Sequence, residues 1–214
     1  MILYGNWRSL ATYRVRVALA LKGVPHEVAA INMQGNEHRG DAFKALNPQG
    51  VLPALDDGHG AVLFQSLAIL EYLEEAYPTP ALLPSGLAAR ARVRGLALIV
   101  AADAHPLIVP RVREYLQQEA GLHDGELKSW IDRALLTALD AIEANLHASP
   151  DTGEFCHGDS PTMADICLAS HLIAAQFFKC DTTSYSHAQR IFANCNALPA
   201  FADSHPLRQP GAPG

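Results

Sequence analysis

Over the first 80 residues, short apolar runs alternate with stretches in which apolar positions recur every three or four residues. The short runs are ILY (2–4), EVAAI (27–31), LPAL (52–55) and AVLF (61–64), and each reads as a strand. Between them the spacing predicts a helix over roughly 12–22, closed by Gly23, and a short helix near DAFKAL. The segment QSLAILEYLEEAY (65–77) then gathers Leu67, Ile69, Leu70, Leu73 and Tyr77 on one helical face, and Pro78 and Pro80 stop it. The order is β-α-β-α-β-β-α.

PTPALLPSG (78–86) carries three prolines and a glycine, as a linker between packed bodies does. From Leu87 onward the alternation disappears, and helical patterns cover about 88–118, 125–147, 162–178 and 185–196. The expected organisation is an α/β domain at 1–80, a linker at 81–86 and an all-α domain at 87–214. Pro106 and Pro110 predict a bend around AHPLIVPRV, where freed carbonyls need new donors. Thr162 and Asp165 stand at capping-box spacing, and the Pro/Gly-rich end SHPLRQPGAPG is expected to be extended.

Composition narrows the classes. The chain has 214 residues, 49% of them hydrophobic, enough for one large or two small cores. Its net charge is −6 and its Lys and Arg residues are scattered, so no basic stripe marks a nucleic-acid partner. No uninterrupted apolar window is long enough to span a membrane, and MILYGNWRS has no secretory pattern, so a cytoplasmic protein is expected. Cys156, Cys167, Cys180 and Cys195 show no metal or redox spacing and read as reduced, mostly buried thiols.

Candidate chemistry lies at three strand–helix junctions. At NWRSLAT, the free N–H groups of a helix start favour an anion such as a thiolate; Ser9 or Thr12 either supplies a hydroxyl to it or caps the helix. In NPQGVLPAL, Pro53 opens a strand, where a cis turn would leave the N–H and C=O of Leu52 free to pair with an extended peptide; an edge-strand proline is the alternative. At FQSLAIL, Gln65 and Ser66 begin a helix, either as a carboxylate site or as a cap.

These stretches, together with TMADICL and SHPLRQP, resemble the zeta class of cytosolic glutathione transferases, the maleylacetoacetate and maleylpyruvate isomerases, nearly end to end. The resemblance implies a thioredoxin-like N-terminal domain, an all-helical C-terminal domain and a homodimer. It also implies glutathione as cofactor and a small acidic substrate, isomerised by thiolate addition, bond rotation and elimination. Carried over residue by residue, it makes Ser9 the hydroxyl that activates the sulfur, with Thr12 the other hydroxyl of SLAT, where the family often reads S-S-C-S. Leu52, before Pro53, pairs with the tripeptide backbone, Gln65 and Ser66 hold the γ-glutamyl carboxylate, and Gln49 contacts the glycyl end. Arg8 and Arg111 face the acidic substrate, while Phe177 stands where relatives tend to carry a further arginine.

Other residues keep two readings. Asp103 either reaches the γ-glutamyl amine across a dimer interface or is a solvated helix acid. Trp7 either lines the substrate site or packs at the domain interface, and Arg14 or Arg16, inside the first helix, is expected to pair with acids in the other domain or the partner subunit. Two alternatives to the isomerase are an interaction protein that keeps the fold without turnover and a transferase or dehalogenase acting on small α-halo acids. A thiol oxidoreductase is disfavoured because no cysteine lies near the first junction.

Overall fold

The computed structural model describes residues 1–60 and 62–213; Ala61, first in the predicted AVLF strand, and Gly214, last in the predicted helical domain, lie outside the described residues. The chain forms two compact units, one of Met1–Leu82 with the segment from Leu198 onward, the other Leu83–Ala197.

In the first unit, β1 (Ile2–Gly5), α1 (Leu10–Leu21), β2 (Glu27–Ala30), α2 (Asp41–Leu46), β3 (Ala54–Asp56), β4 (Leu63–Phe64) and α3 (Ser66–Ala76) follow in the expected order. The sheet order is β2-β1-β3-β4, parallel between β1 and β2 and antiparallel across the rest. Leu3 and Leu55 are cross-strand partners, and both are fully buried together with Tyr13, Val17, Ile69, Leu70 and Leu73 of α1 and α3. A smaller cluster of Ile31, Phe43 and Ala54 takes Tyr4, Leu46, Leu52 and Val62 against it. Gly23, at φ 62°, ends α1: its N–H bonds Ala20 O and the next N–H, from Val24, bonds Leu19 O. Gly5 is required by packing, because a Cβ there would collide with the Thr12 methyl.

The C-terminal segment departs from the sequence expectation in two ways. It belongs to the first unit, not to the helical remainder, and it is folded, not extended. A short helix α10 (Pro199–Ser204) packs on α1 with Phe201 wholly buried, and a 3₁₀ turn follows at Pro206–Arg208. Gln209 Nε2 pins the turn by donating to Asp203 O (2.7 Å) and His205 O (3.2 Å). One buried aromatic and side-chain bonds to carbonyls supply the order that composition does not suggest.

The second unit contains α4 (Leu87–Leu98), a π-helical stretch (Ile99–Ala104), α5 (His105–Ile108), α6 (Pro110–Gln118), α7 (Asp124–Ala148), α8 (Met163–Phe177) and α9 (Ser186–Ala197). α8 is buried throughout Met163–Ala175, with α4, α7 and α9 packed on it. The predicted bend is present: Val109, preceding Pro110, is extended (φ −68°, ψ 154°) and separates α5 from α6. The carbonyls it frees find donors, Leu107 O from Trp130 Nε1 (3.0 Å) and Ile108 O from Arg113 Nε (3.0 Å). The capping box also forms: Asp165 accepts from Thr162 N–H and hydroxyl and from Cys156 N–H, each at 2.7 Å. All four cysteines are free thiols; Cys156, Cys167 and Cys195 are buried, and half-buried Cys180 donates to Asp132 Oδ1 at 2.6 Å.

Candidate active site

The sheet register brings the three junctions to one end of the first unit. Tyr4 pairs with Ala54, and Ala54 with Phe64. The chain leaving β1 after Gly5, entering β3 from Leu52–Pro53 and leaving β4 into Gln65–Ser66 therefore passes the same end of the sheet.

At the first junction Ser9 is the N-cap of α1, its Oγ accepting the Thr12 N–H at 3.2 Å. The cap occupies an acceptor lone pair and leaves the hydroxyl proton free to donate, so capping and thiol activation are compatible. Thr12 is different. Its side chain is fully buried beside Gly5, and among the described residues its Oγ1 has no hydrogen-bond partner. It bonds Ser9 through its backbone N–H.

Asn6, which sequence reasoning passed over, organises this loop. Its Oδ1 accepts the Arg8 N–H (3.0 Å), its carbonyl accepts the Ser9 N–H (3.1 Å), and its Nδ2 donates to Ile31 O (2.8 Å). An Asn between a strand and a helix start was the available signal. The Arg8 side chain is exposed. Trp7 is half-buried with its ring edge beside Gly211, a packing position inside the first unit.

Arg16 is 4% exposed, and among the described residues its hydrogen-bond acceptors are carbonyls, not acids: Nε donates to Ser204 O (3.3 Å), Nη1 to Asn6 O (3.4 Å) and Nη2 to Trp7 O (3.4 Å). Burial pulls its pKa down to about 10, which leaves it charged at neutral pH. The neighbouring His205 is pulled below its ordinary value by burial and by the charges of Arg208 and Arg16. Arg14 is buried as well.

At the second junction the Leu52–Pro53 peptide is cis, as is Thr79–Pro80. Buried Asn47 shapes the loop before it, donating from Nδ2 to Val51 O (2.7 Å) and accepting the Gln49 N–H on Oδ1 (3.2 Å). Among the described residues the N–H and C=O of Leu52 make no hydrogen bond, and they are open to an extended ligand. At the third junction Gln65 adopts φ 68°, ψ 116°, a region that costs a non-glycine residue about 1–3 kcal/mol, immediately before Ser66 opens α3. Its Nε2 donates to Gln49 Oε1 at 2.8 Å, so the second and third junctions touch.

In the second unit, Asp103 is exposed on the π-helical stretch and Arg111 is exposed in the first turn of α6. Arg113 lies 5.4 Å over the Phe178 ring, one residue beyond half-buried Phe177.

Residues 1–75 match the glutathione S-transferase N-terminal domain and residues 119–192 its C-terminal domain. A maleylpyruvate isomerase of a Ralstonia species is 45% identical over 210 residues, spanning 98% of this chain and 99% of that protein. A solved structure described as holo maleyl pyruvate isomerase, a bacterial transferase of the zeta class, superposes with TM-score 0.97 at 45% identity over the whole of both chains. The chain belongs to the zeta-class glutathione transferases. The maleylacetoacetate isomerase of Pseudomonas aeruginosa is 43% identical over 100% of this chain and 99% of its own. A maleylacetoacetate isomerase structure from Methylobacterium extorquens, solved with malonate and glutathione, has TM-score 0.97 at 46% identity over all of both chains. The thioredoxin-like first unit and the helical second unit are the two domains of this family.

Proposed function

We propose that this zeta-class chain is a glutathione-dependent cis–trans isomerase of maleyl-type diacids, taking maleylacetoacetate or maleylpyruvate to the fumaryl form. The observation that carries the reading is the convergence at one end of the sheet of a hydroxyl with a proton to give, a backbone pair with no partner among the described residues and a helix start, at Ser9, Leu52 and Gln65–Ser66. These groups fit a peptide thiol with carboxylate ends. The Leu52 N–H and C=O pair with its backbone as an added strand would, and Gln65, Ser66 and the α3 N-terminus take the γ-glutamyl carboxylate. Gln49 serves the glycyl end.

Glutathione supplies a thiol that, once ionised, adds to the conjugated double bond and leaves after the resulting single bond has turned, so the trans diacid is released and glutathione regenerated. An ordinary thiol has a pKa near ~8.5, so the anion needs help at neutral pH. The Ser9 hydroxyl donates to the sulfur, and the N-terminal end of α1 adds its positive partial charge. Arg8 is assigned to the substrate, its planar fork matching a carboxylate and stabilising the charge that builds on the conjugated carbonyl. Arg111 is assigned to the substrate's acidic groups as well.

The same reading makes the protein a cytoplasmic homodimer of aromatic catabolism, in which Asp103 meets the γ-glutamyl amine.

The test is isomerisation of maleylacetone and maleylpyruvate, with dichloroacetate alongside, by the wild type and Ser9→Ala. The reading expects glutathione-dependent turnover of a maleyl substrate and a loss of tenfold or more, roughly one charge-assisted hydrogen bond, in Ser9→Ala. Unchanged isomerisation in the variant removes Ser9 from catalysis. Turnover of dichloroacetate alone makes the protein a haloacid enzyme.

A further inference from the structure

The guanidinium of Arg16 is buried in the first unit with one nitrogen on each of three carbonyls. Two of these, Asn6 O and Trp7 O, belong to the loop that presents Arg8 and Ser9; the third, Ser204 O, ends α10 in a segment 188 positions away in sequence. The carbonyl of Asn6 is shared: it accepts from Arg16 Nη1 and also from the Ser9 N–H, the bond that sets where Ser9 stands as N-cap. Gly211, further along the same C-terminal segment, lies against the Trp7 ring. Among the described residues Arg16 makes no hydrogen bond to Ser9 or to a side chain assigned to substrate. A buried cation with three carbonyl acceptors polarises and immobilises them, and a planar fork fixes their mutual geometry.

We propose that Arg16 is a positioning residue, a brace that ties the C-terminal segment to the carbonyls of Asn6 and Trp7 and thereby holds Ser9 where its hydroxyl meets the thiol. The C-terminal segment is then part of the thiol-activating machinery. The proposal rests on the isomerase reading and deepens it.

The test compares wild type with Arg16→Met, which removes the charge, and Arg16→Lys, which keeps the charge but not the fork. Three quantities are read: hydrogen exchange at the Ser9 amide without ligand, titration of the enzyme-bound glutathione thiol by thiolate absorbance, and kcat and KM against pH. Both variants are expected to exchange the Ser9 amide about tenfold faster or more. The bound thiol should titrate at higher pH, kcat at neutral pH should fall about tenfold with KM for glutathione within about twofold, and the deficit should shrink as pH rises. If both variants melt earlier but keep wild-type Ser9 exchange and thiol titration, Arg16 is purely structural and the proposal is overturned. It is also overturned if Arg16→Lys restores both, because a point charge then suffices. If wild type leaves the glutathione thiol at its free value, the isomerase reading fails separately, and Ser9 exchange alone decides whether Arg16 is the brace.

Discussion

Gln65 Nε2 donates to Gln49 Oε1 across 2.8 Å, joining two loops that flank the same end of the sheet. Both side chains are exposed, and Gln65 holds its place with a left-handed backbone that its own residue type disfavours. Strain of this kind persists where the surrounding structure fixes it and a ligand uses it. A tripeptide bound at this end of the sheet would meet the two amides as a linked pair, each steadying the other.

Coupling follows from that contact. Gln49→Ala and Gln65→Ala are each expected to raise KM for glutathione about fivefold, roughly the net worth of one hydrogen bond, with kcat little changed. The double variant should lose less than the product of the singles, and steady-state kinetics on the four proteins measures the shortfall. A purely multiplicative result would mean that the amides act independently.

Thr12 gives a contrasting expectation. Its hydroxyl is buried beside Gly5 with no partner, a cost the fold bears without visible return. Thr12→Val removes that group at nearly equal shape, so stability should hold or rise by up to about 1 kcal/mol and isomerase activity should stay within about twofold. Thermal melts and kcat decide it. A tenfold drop in kcat with an unchanged melt would return the hydroxyl to the site.

What the sequence disclosed and what it withheld divide by the range of the interaction. The strand–helix order, the Val109 break, the Thr162–Asp165 box and the cis Leu52–Pro53 turn all arise within a few residues, so spacing and residue type reveal them. Ser9, Gln65 and Ser66 were legible for the same reason, as residues at helix starts. Arg16 was not, because its acceptor at Ser204 lies 188 positions away and a carbonyl leaves no trace in residue type. The C-terminal segment was misjudged on the same ground: proline and glycine content is local, whereas burial of Phe201 against α1 is not. Asn6 and Asn47 are local hubs within reach of turn chemistry, each accepting on Oδ1 the N–H two residues on, from Arg8 and Gln49.

Lys22 and Glu74 form a second long-range device. Lys22 Nζ, wholly buried, bonds Glu74 Oε2 (2.9 Å), Tyr77 O (2.6 Å) and Pro80 O (2.9 Å), and the same Glu74 oxygen accepts the Leu82 N–H (2.8 Å). The pair fixes the end of α3 and the turn after it. Lys22→Met removes the buried cation bonded to Glu74 and should cost about 3–5 kcal/mol, while Lys22→Met with Glu74→Leu should recover part of the loss. Denaturant midpoints measure both. A single variant within about 1 kcal/mol of wild type would show that water reaches the carboxylate.

Glu143 sets how the helical unit responds to acid. From α7 its Oε1 accepts the His187 N–H (2.8 Å) and bonds His187 Nδ1 (3.0 Å), and its Oε2 accepts the Ala188 N–H (3.0 Å), so it caps the start of α9 from a neighbouring helix. Burial pushes its carboxyl pKa up, but the hydrogen bonds from His187 and Ala188 outweigh that, and the net position is below the ordinary value. A carboxylate whose pKa is lower folded than unfolded stabilises the fold above its unfolded value, about 4.3, and loses that contribution as pH falls through the folded value. Wild-type urea midpoints should therefore decline as pH drops below about 5. Glu143→Gln keeps one carbonyl acceptor but no charge, so it should start less stable at neutral pH and decline less steeply, the two curves converging in acid. Parallel curves would show that the carboxylate charge contributes nothing to the cap.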